Sequence, residues 1–135
     1  MTISSNAAVS QRRGVHVALW ALQILLAAFF VFASAPKLLG DPMAVQMFDL
    51  IGLGQWFRYL TGGLELLGAI GLLVPRLTGL AALGLAAVMV GATITQVFVF
   101  QAPALAVMPF ALMLLFLVIA WGRRRTIPFA AHRAS

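Results

Sequence analysis

Four apolar stretches, each about as long as a lipid bilayer is thick, constrain the fold of this chain more than any other feature. They lie at about residues 15–36, 56–74, 77–100 and 102–121. The hydrocarbon core of a bilayer is about 30 Å thick and an α-helix rises about 1.5 Å per residue, so roughly 20 apolar residues make one span. We therefore predict an all-α integral membrane protein in which four transmembrane helices form a bundle.

The composition excludes a soluble globular domain. Of the 135 residues, 63% are hydrophobic and only 9% are charged, whereas a soluble domain has about 25% charged residues. The basic residues occur in short clusters between apolar stretches, so they do not form the contiguous basic surface that nucleic acid requires. We expect the lipid bilayer to be the main partner of the chain, and we expect no binding of nucleic acid.

The spans take up most of the chain and leave room for one domain. We predict a transmembrane domain at residues 15–122, with a cytoplasmic N-terminal tail at 1–14 and a basic cytoplasmic tail at 123–135. Between the first two spans, Asp41 is followed by a proline, which is typical of a helix start. The sequence there predicts a short amphipathic helix over residues 42–51 that lies on the membrane surface.

The arginines predict the orientation of the spans, because Lys and Arg in short loops are retained on the cytoplasmic side. Only Lys37 and Arg58 lie at the opposite end of the spans. We therefore predict that both termini are cytoplasmic. The first span ends in Ala33-Ser34-Ala35, as a signal peptide does, but Pro36 follows directly and we expect no cleavage there. The arginines at the predicted cytoplasmic end are Arg12, Arg13, Arg76, Arg123, Arg124, Arg125 and Arg133.

Glu65 stands near the middle of the predicted second span, where a charged side chain costs at least about 2.5–3.5 kcal/mol. Such a carboxyl group is paired, protonated or exposed to a wet cavity, and the sequence alone leaves these three states open. Lys37 ends the first span, and its flexible stem can bend inward to Glu65 or extend outward to the membrane surface. We predict a link between the two side chains and treat Glu65 as a functional candidate.

Four further polar residues inside the spans complete a candidate intramembrane site with Lys37 and Glu65. They are Gln23, Ser34, Thr93 and Gln96. In the first span, Gln23, Ser34 and Lys37 recur at helical spacing on one face, which predicts that this face turns inward. For these four residues a structural role, in which they bond one another and fix the helix register, is favoured over a functional one.

Small residues predict how the second and third spans pack. Gly62 and Gly68 share a helical face with Glu65, and a row of this kind permits close approach of another helix. Gly84 and Gly91 belong to a similar row in the third span. We predict that both rows face the interior of the bundle.

The sequence contains no motif of a self-contained enzyme. It has no Cys and only two His, and neither His is placed for haem ligation between spans. Nucleotide loops, catalytic triads and zinc motifs are also missing. We predict no metal site and no intrinsic cofactor, and the chain is not expected to be an enzyme on its own. The aromatic residues suit lipid-facing positions, although some can line a flat lipophilic pocket for a quinone headgroup.

Three segments of the sequence resemble the DoxX-like family of small four-helix bacterial membrane proteins. They are FASAPKL at 32–38, FDLIGL at 48–53 and GGLELLGAIGLLVPR at 62–76. The resemblance implies a four-helix bundle in the bacterial cytoplasmic membrane, and some members are subunits of a thiosulfate to quinone oxidoreductase. Lys37 and Glu65 match a recurrent polar pair of the family, whereas Gln96 stands in a region where related sequences often have His.

These observations leave several functions open. One is an accessory or quinone-interacting subunit of a membrane redox assembly, which predicts a lipophilic ligand and a redox partner protein. Another is a small carrier in which Glu65 binds a proton or a cation, which predicts a homo-oligomer of parallel copies. A third is a non-catalytic membrane scaffold in which Glu65 only fastens helices together.

Overall fold

A computed structural model of the chain describes the backbone of residues 2–127 and the side chains of residues 12–127. In this part of the chain all regular structure is helical, which confirms the predicted all-α membrane bundle with a short helix between its first two long helices. The α-helices are α1 (Thr2–Leu39), α2 (Pro42–Ile51), α3 (Gln55–Leu73), α4 (Thr78–Ile94) and α5 (Val107–Gly122). A π-helix at Thr95–Val99 extends α4, and two 3-10 helices, Pro103–Ala106 and Arg124–Thr126, flank α5.

Three segments of the described chain are long and apolar enough to cross a membrane. They are Arg12–Leu39, Thr78–Val99 and Pro103–Gly122. Helix α3 has 19 residues, which corresponds to about 28 Å of helix, but Arg58 and Glu65 make it less apolar than the others. The protein is therefore a multi-pass membrane protein, and a membrane crossing by α3 stays a prediction.

The helix boundaries differ from the predicted spans at several ends. Helix α1 begins at Thr2 and not near residue 15, and it continues through Pro36 to Leu39. Helix α5 begins only at Val107, five residues after the predicted start of the fourth span. Pro109 therefore lies in the first turn of α5, where the backbone N–H that proline lacks would have no partner within the helix.

The four long helices share one apolar core. Helix α1 packs against α3, α3 against α4, and α4 against α5. The predicted inward face of α1 points into this core, since Gln23 is fully buried and Ser34 is 1% exposed. Phe30 of α1 meets Phe116 of α5 with ring centroids 5.3 Å apart, so the first and last helices also touch at the centre of the bundle.

The glycines of α3 and α4 have different surroundings. A Cβ atom on Gly68 would lie 2.5 Å from Leu85 Cγ, and one on Gly62 would lie 3.0 Å from Lys37 Cβ. The predicted close packing along α3 is therefore observed. A Cβ atom on Gly84 or Gly91 would meet nothing within 4 Å, so the glycine row of α4 borders open space and makes no close helix contact.

Helix α2 lies across one end of the bundle. Ala44 and Phe48 are buried against the long helices, whereas Met43 and Leu50 are 70% exposed. Apolar side chains on both sides suit a helix that lies between a protein surface and lipid. Gly52 ends the helix with a φ angle of +83°, a conformation that glycine adopts without steric cost.

We expect Gly68→Ala to destabilise the protein and Gly91→Ala to leave its stability unchanged or raised. The new methyl group clashes with Leu85 in the first variant, and overpacking of this kind costs about 1–3 kcal/mol. In the second variant it enters open space, and alanine is a better helix former than glycine by up to about 1 kcal/mol. Thermal unfolding midpoints in one detergent measure both effects, and equal midpoints for the two variants would contradict the packing described.

Candidate functional site

An ion pair between Lys37 of α1 and Glu65 of α3 is the centre of the candidate site. Lys37 Nζ donates to Glu65 Oε1 at 2.8 Å and to Oε2 at 2.9 Å. Glu65 is 3% exposed, so its carboxylate has left water and requires this partner. The Lys37 stem therefore bends inward, and a third contact to the Ala33 carbonyl oxygen at 3.5 Å is longer than an ordinary N–H···O hydrogen bond.

Arg58 supports the ion pair from α3, a role that its sequence position did not reveal. Its guanidinium is buried at 4% exposure and donates to the carbonyl oxygen of Lys37. It also donates from Nε to Gln55 Oε1 at 2.7 Å and lies over the Tyr59 ring. The last carbonyl groups of any helix lack partners within it, so a buried arginine that meets the end of α1 satisfies one of them.

A cavity of about 550 Å³ lies beside the ion pair, between α2, α3, α4 and the π-helix. Lys37 and Glu65 form the charged part of its wall, and the π-helix contributes Thr95 and Gln96. The rest of the wall is mainly apolar and aromatic, with Met47, Phe48, Ile51, Phe57, Leu60, Thr61, Leu64, Gly84, Ala87, Val88, Gly91, Ala92 and Phe100.

The cavity opens sideways on the surface of the bundle. Leu60 and Leu64 of α3 are each 45% exposed, and Ala87 and Gly91 of α4 are exposed as well. All four residues line the cavity. Because this surface is apolar and belongs to the long helices, the opening between α3 and α4 is suited to contact with the hydrocarbon of a bilayer.

The structure divides the six sequence-predicted site residues into three groups. Lys37, Glu65 and Gln96 line the cavity. Ser34 Oγ and Thr93 Oγ1 instead donate to carbonyl oxygens of their own helices, at 2.9 and 2.8 Å. Hydroxyl groups that bond the preceding helical turn are satisfied locally, so the contacts of these two residues are structural.

Gln23, the sixth residue, joins three helices at the opposite end of the bundle. Its Nε2 donates to the Leu72 carbonyl oxygen at 2.8 Å, and its Oε1 accepts from Arg123 Nε at 2.9 Å. Thr78 Oγ1 also donates to the Leu72 carbonyl oxygen, at 3.2 Å. The C-terminal end of α3 is thereby connected to α1, to α4 and to the residue that follows α5.

Arg123 is a second structural residue that sequence reasoning missed, since its charge suggested only the orientation of the spans. Beyond Gln23, its guanidinium lies 2.9 Å from His16 Nδ1 and donates to the His16 carbonyl oxygen. Partial burial lowers the pKa of Arg123 from its usual range. The guanidinium keeps its charge at neutral pH, because arginine is effectively always protonated in proteins.

No metal centre is visible in the described part of the chain. Among its His, Asp and Glu side chains, no three lie close enough together to hold a metal ion. Its charged and polar side chains at the cavity are an ammonium group, a carboxylate, two hydroxyl groups and one amide, which can bind organic ligands by hydrogen bonds.

One comparison with known proteins gave a match. A family model described as the DoxX-like family matches residues 21–121, which include α2, α3, α4, both members of the ion pair and all residues that line the cavity. Searches of curated proteins and of solved structures gave no significant match.

Removal of Lys37 is expected to destabilise the protein more than removal of Glu65. Lys37→Met leaves a buried carboxylate without a partner, which costs about 3–5 kcal/mol in comparable sites. In Glu65→Gln the ammonium group can extend outward on its stem, so the loss is smaller. The double variant Lys37→Met/Glu65→Gln should recover much of the loss. Unfolding of the three variants in detergent measures the order of their losses in stability. A loss in the double variant that equals the sum of the two single losses would contradict the pairing.

Gln23→Leu is expected to cost about 1–3 kcal/mol in the free energy of unfolding, because Arg123 and the Leu72 carbonyl oxygen lose a buried partner. Ser34→Ala is the matched control in the same helix, since its hydroxyl group bonds only its own helix and should cost less than about 1 kcal/mol. The same unfolding measurement compares them. Equal losses would show that Gln23 fastens no other helix.

Proposed function

The chain belongs to the DoxX-like family of membrane proteins, and we propose on this premise that it is a quinone-binding accessory subunit of a membrane redox assembly. The observation that carries the proposal is the lateral cavity with the Lys37–Glu65 ion pair in its wall. A mainly apolar cavity with a few polar groups at one place is typical of small-molecule sites.

The hydrogen-bonding groups of the ion pair suit both redox forms of a quinone. The Lys37 ammonium group has three donors, of which two bind Glu65 and the third has only a long contact. That third donor is available to a quinone carbonyl oxygen. The carboxylate oxygens of Glu65 have remaining lone pairs, which can accept from the hydroxyl groups of the reduced form.

The shape and the surroundings of the cavity support the same ligand class. Its volume of about 550 Å³ lies within the range of about 300–1,000 Å³ that is usual for organic ligands. Phe48, Phe57 and Phe100 supply aromatic surface for a flat ring. The opening faces lipid, which is the phase in which quinones dissolve.

The role is accessory because the chain offers no redox chemistry of its own. It has no Cys, and the groups that line the cavity bind and orient a ligand but do not transfer electrons. A partner protein would supply or receive the electrons. The arginine-rich end of the bundle is the cytoplasmic end by the positive-inside rule, so the cavity and α2 would lie in the outer leaflet of a bacterial cytoplasmic membrane.

A carrier for protons or cations receives less support from the geometry. Both oxygens of Glu65 accept from Lys37, and a cation that bound there would have to displace the ammonium group or share the carboxylate with it. Two like charges at one carboxylate repel each other. The ion pair is therefore better suited to a neutral polar headgroup.

Binding of a short-chain benzoquinone to the protein in lipid nanodiscs tests the proposal. We expect Glu65→Gln and Lys37→Met to weaken binding by about tenfold or more, because each loses a charge-assisted hydrogen bond of about 1.5–3 kcal/mol. Gln23→Leu is the control, since it perturbs the opposite end of the bundle and should bind as the wild type does. Equal affinity in all three variants would contradict a site at the ion pair.

Mass spectrometry of the gently solubilised protein tests the two remaining parts of the proposal, which are the native quinone and the redox partner protein. The wild type should retain a quinone and a redox partner protein, and Glu65→Gln should retain less of the quinone. Absence of both from the wild type would contradict the redox role. Cation uptake by sealed vesicles that is lost in Glu65→Gln would favour the carrier.

A further inference from the structure

A second groove continues the cavity along the outer surface of the bundle. It has a volume of about 380 Å³ and lies between α3 and α4. The groove and the cavity share Leu64, Gly84 and Val88 in their walls, so they are parts of one continuous depression. The other groove residues are Leu67, Gly68, Gly71, Leu77, Leu80, Ala81 and Leu85, and none of them is charged.

Gly84 lies at the junction of the two parts. A Cβ atom there would meet nothing within 4 Å, so the space above this residue is open. On the far side of the groove the helices are in contact, since a Cβ atom on Gly71 would lie 2.8 Å from Ala81 Cβ and one on Gly68 would lie 2.5 Å from Leu85 Cγ. The groove therefore has a closed floor and opens only toward lipid.

The whole depression is polar at one end and apolar along the rest. Gln96 and the ion pair mark the polar end, and Leu80 lies near the other end. The helical rise between Gln96 and Leu80 corresponds to about 24 Å, which is most of the thickness of a hydrocarbon core of about 30 Å. A molecule that fills this depression has a polar headgroup and a long, flexible apolar tail.

We propose that the groove between α3 and α4 holds the isoprenoid tail of the quinone whose headgroup occupies the cavity. This proposal rests on the proposed function and specifies its substrate class as long-chain membrane quinones, which bind more tightly than short-chain ones. The tail moves from lipid into another apolar environment, so no apolar surface is removed from water. Binding of the tail is therefore stabilised by van der Waals packing and not by the hydrophobic effect. The selectivity for the tail is therefore moderate, about fivefold to tenfold in affinity.

The test compares two benzoquinones that carry the same headgroup and differ only in tail length, with two isoprene units or with eight. Binding is measured in nanodiscs as a function of the mole fraction of quinone in the lipid, so that partitioning into the bilayer cancels. The wild type should bind the long-tailed quinone about fivefold to tenfold more tightly. Gly84→Leu, which blocks the junction, and Leu80→Trp, which fills the groove alone, should reduce this ratio to about one.

Gly63→Leu is the matched control. Gly63 also has open space around its Cβ position, but it lines neither the cavity nor the groove, so this variant should keep the wild-type ratio. A ratio of one in the wild type, or an unchanged ratio in Leu80→Trp, would overturn the tail groove and leave the headgroup site intact. Failure of both quinones to bind the wild type would overturn the proposed function itself. Leu80→Trp keeps the test decisive if Gly84→Leu does not fold.

Discussion

The pairing of one buried carboxylate with one ammonium group is the constraint around which the rest of this bundle is arranged. Glu65 is close to the middle of α3 and Lys37 is in the last turn of α1, so the two helices are held in one register. Gly62 allows this contact, because its lack of a side chain lets the α1 backbone approach α3. Arg58 then binds the carbonyl oxygen of Lys37, which fixes the residue that carries the ammonium group.

The two ends of the bundle are held together by different polar contacts. This difference explains why the cavity is open at one end. At the arginine-rich end, Gln23 and Arg123 connect α1, α3 and the end of α5 by direct hydrogen bonds. At the α2 end, α3 and α4 are not joined in this way, and Gly84 and Gly91 of α4 border empty space. A bundle that is firmly closed at one end can keep a ligand-sized opening at the other without losing its fold.

Much of the fold followed from the sequence, because span length and apolar periodicity are local signals. The inward face of α1 and the contact between Lys37 and Glu65 also followed, since a charge inside a membrane needs a partner. The different surroundings of Gly68 and Gly84 could not be predicted, because both are glycines at helical spacing and only the neighbouring helix distinguishes them. Arg58 and Arg123 were missed for a related reason: an arginine near a span end suggests topology, and its partner lies in a distant part of the sequence.

The sideways opening between α3 and α4 sets the route by which the proposed quinone would reach the ion pair. A molecule that enters there diffuses in two dimensions within the membrane, so encounter depends on lateral mobility and on the fluidity of the surrounding lipid. Acyl chains of ordinary lipids would have the same access as the proposed quinone, so competition within the bilayer would set the occupancy of the site.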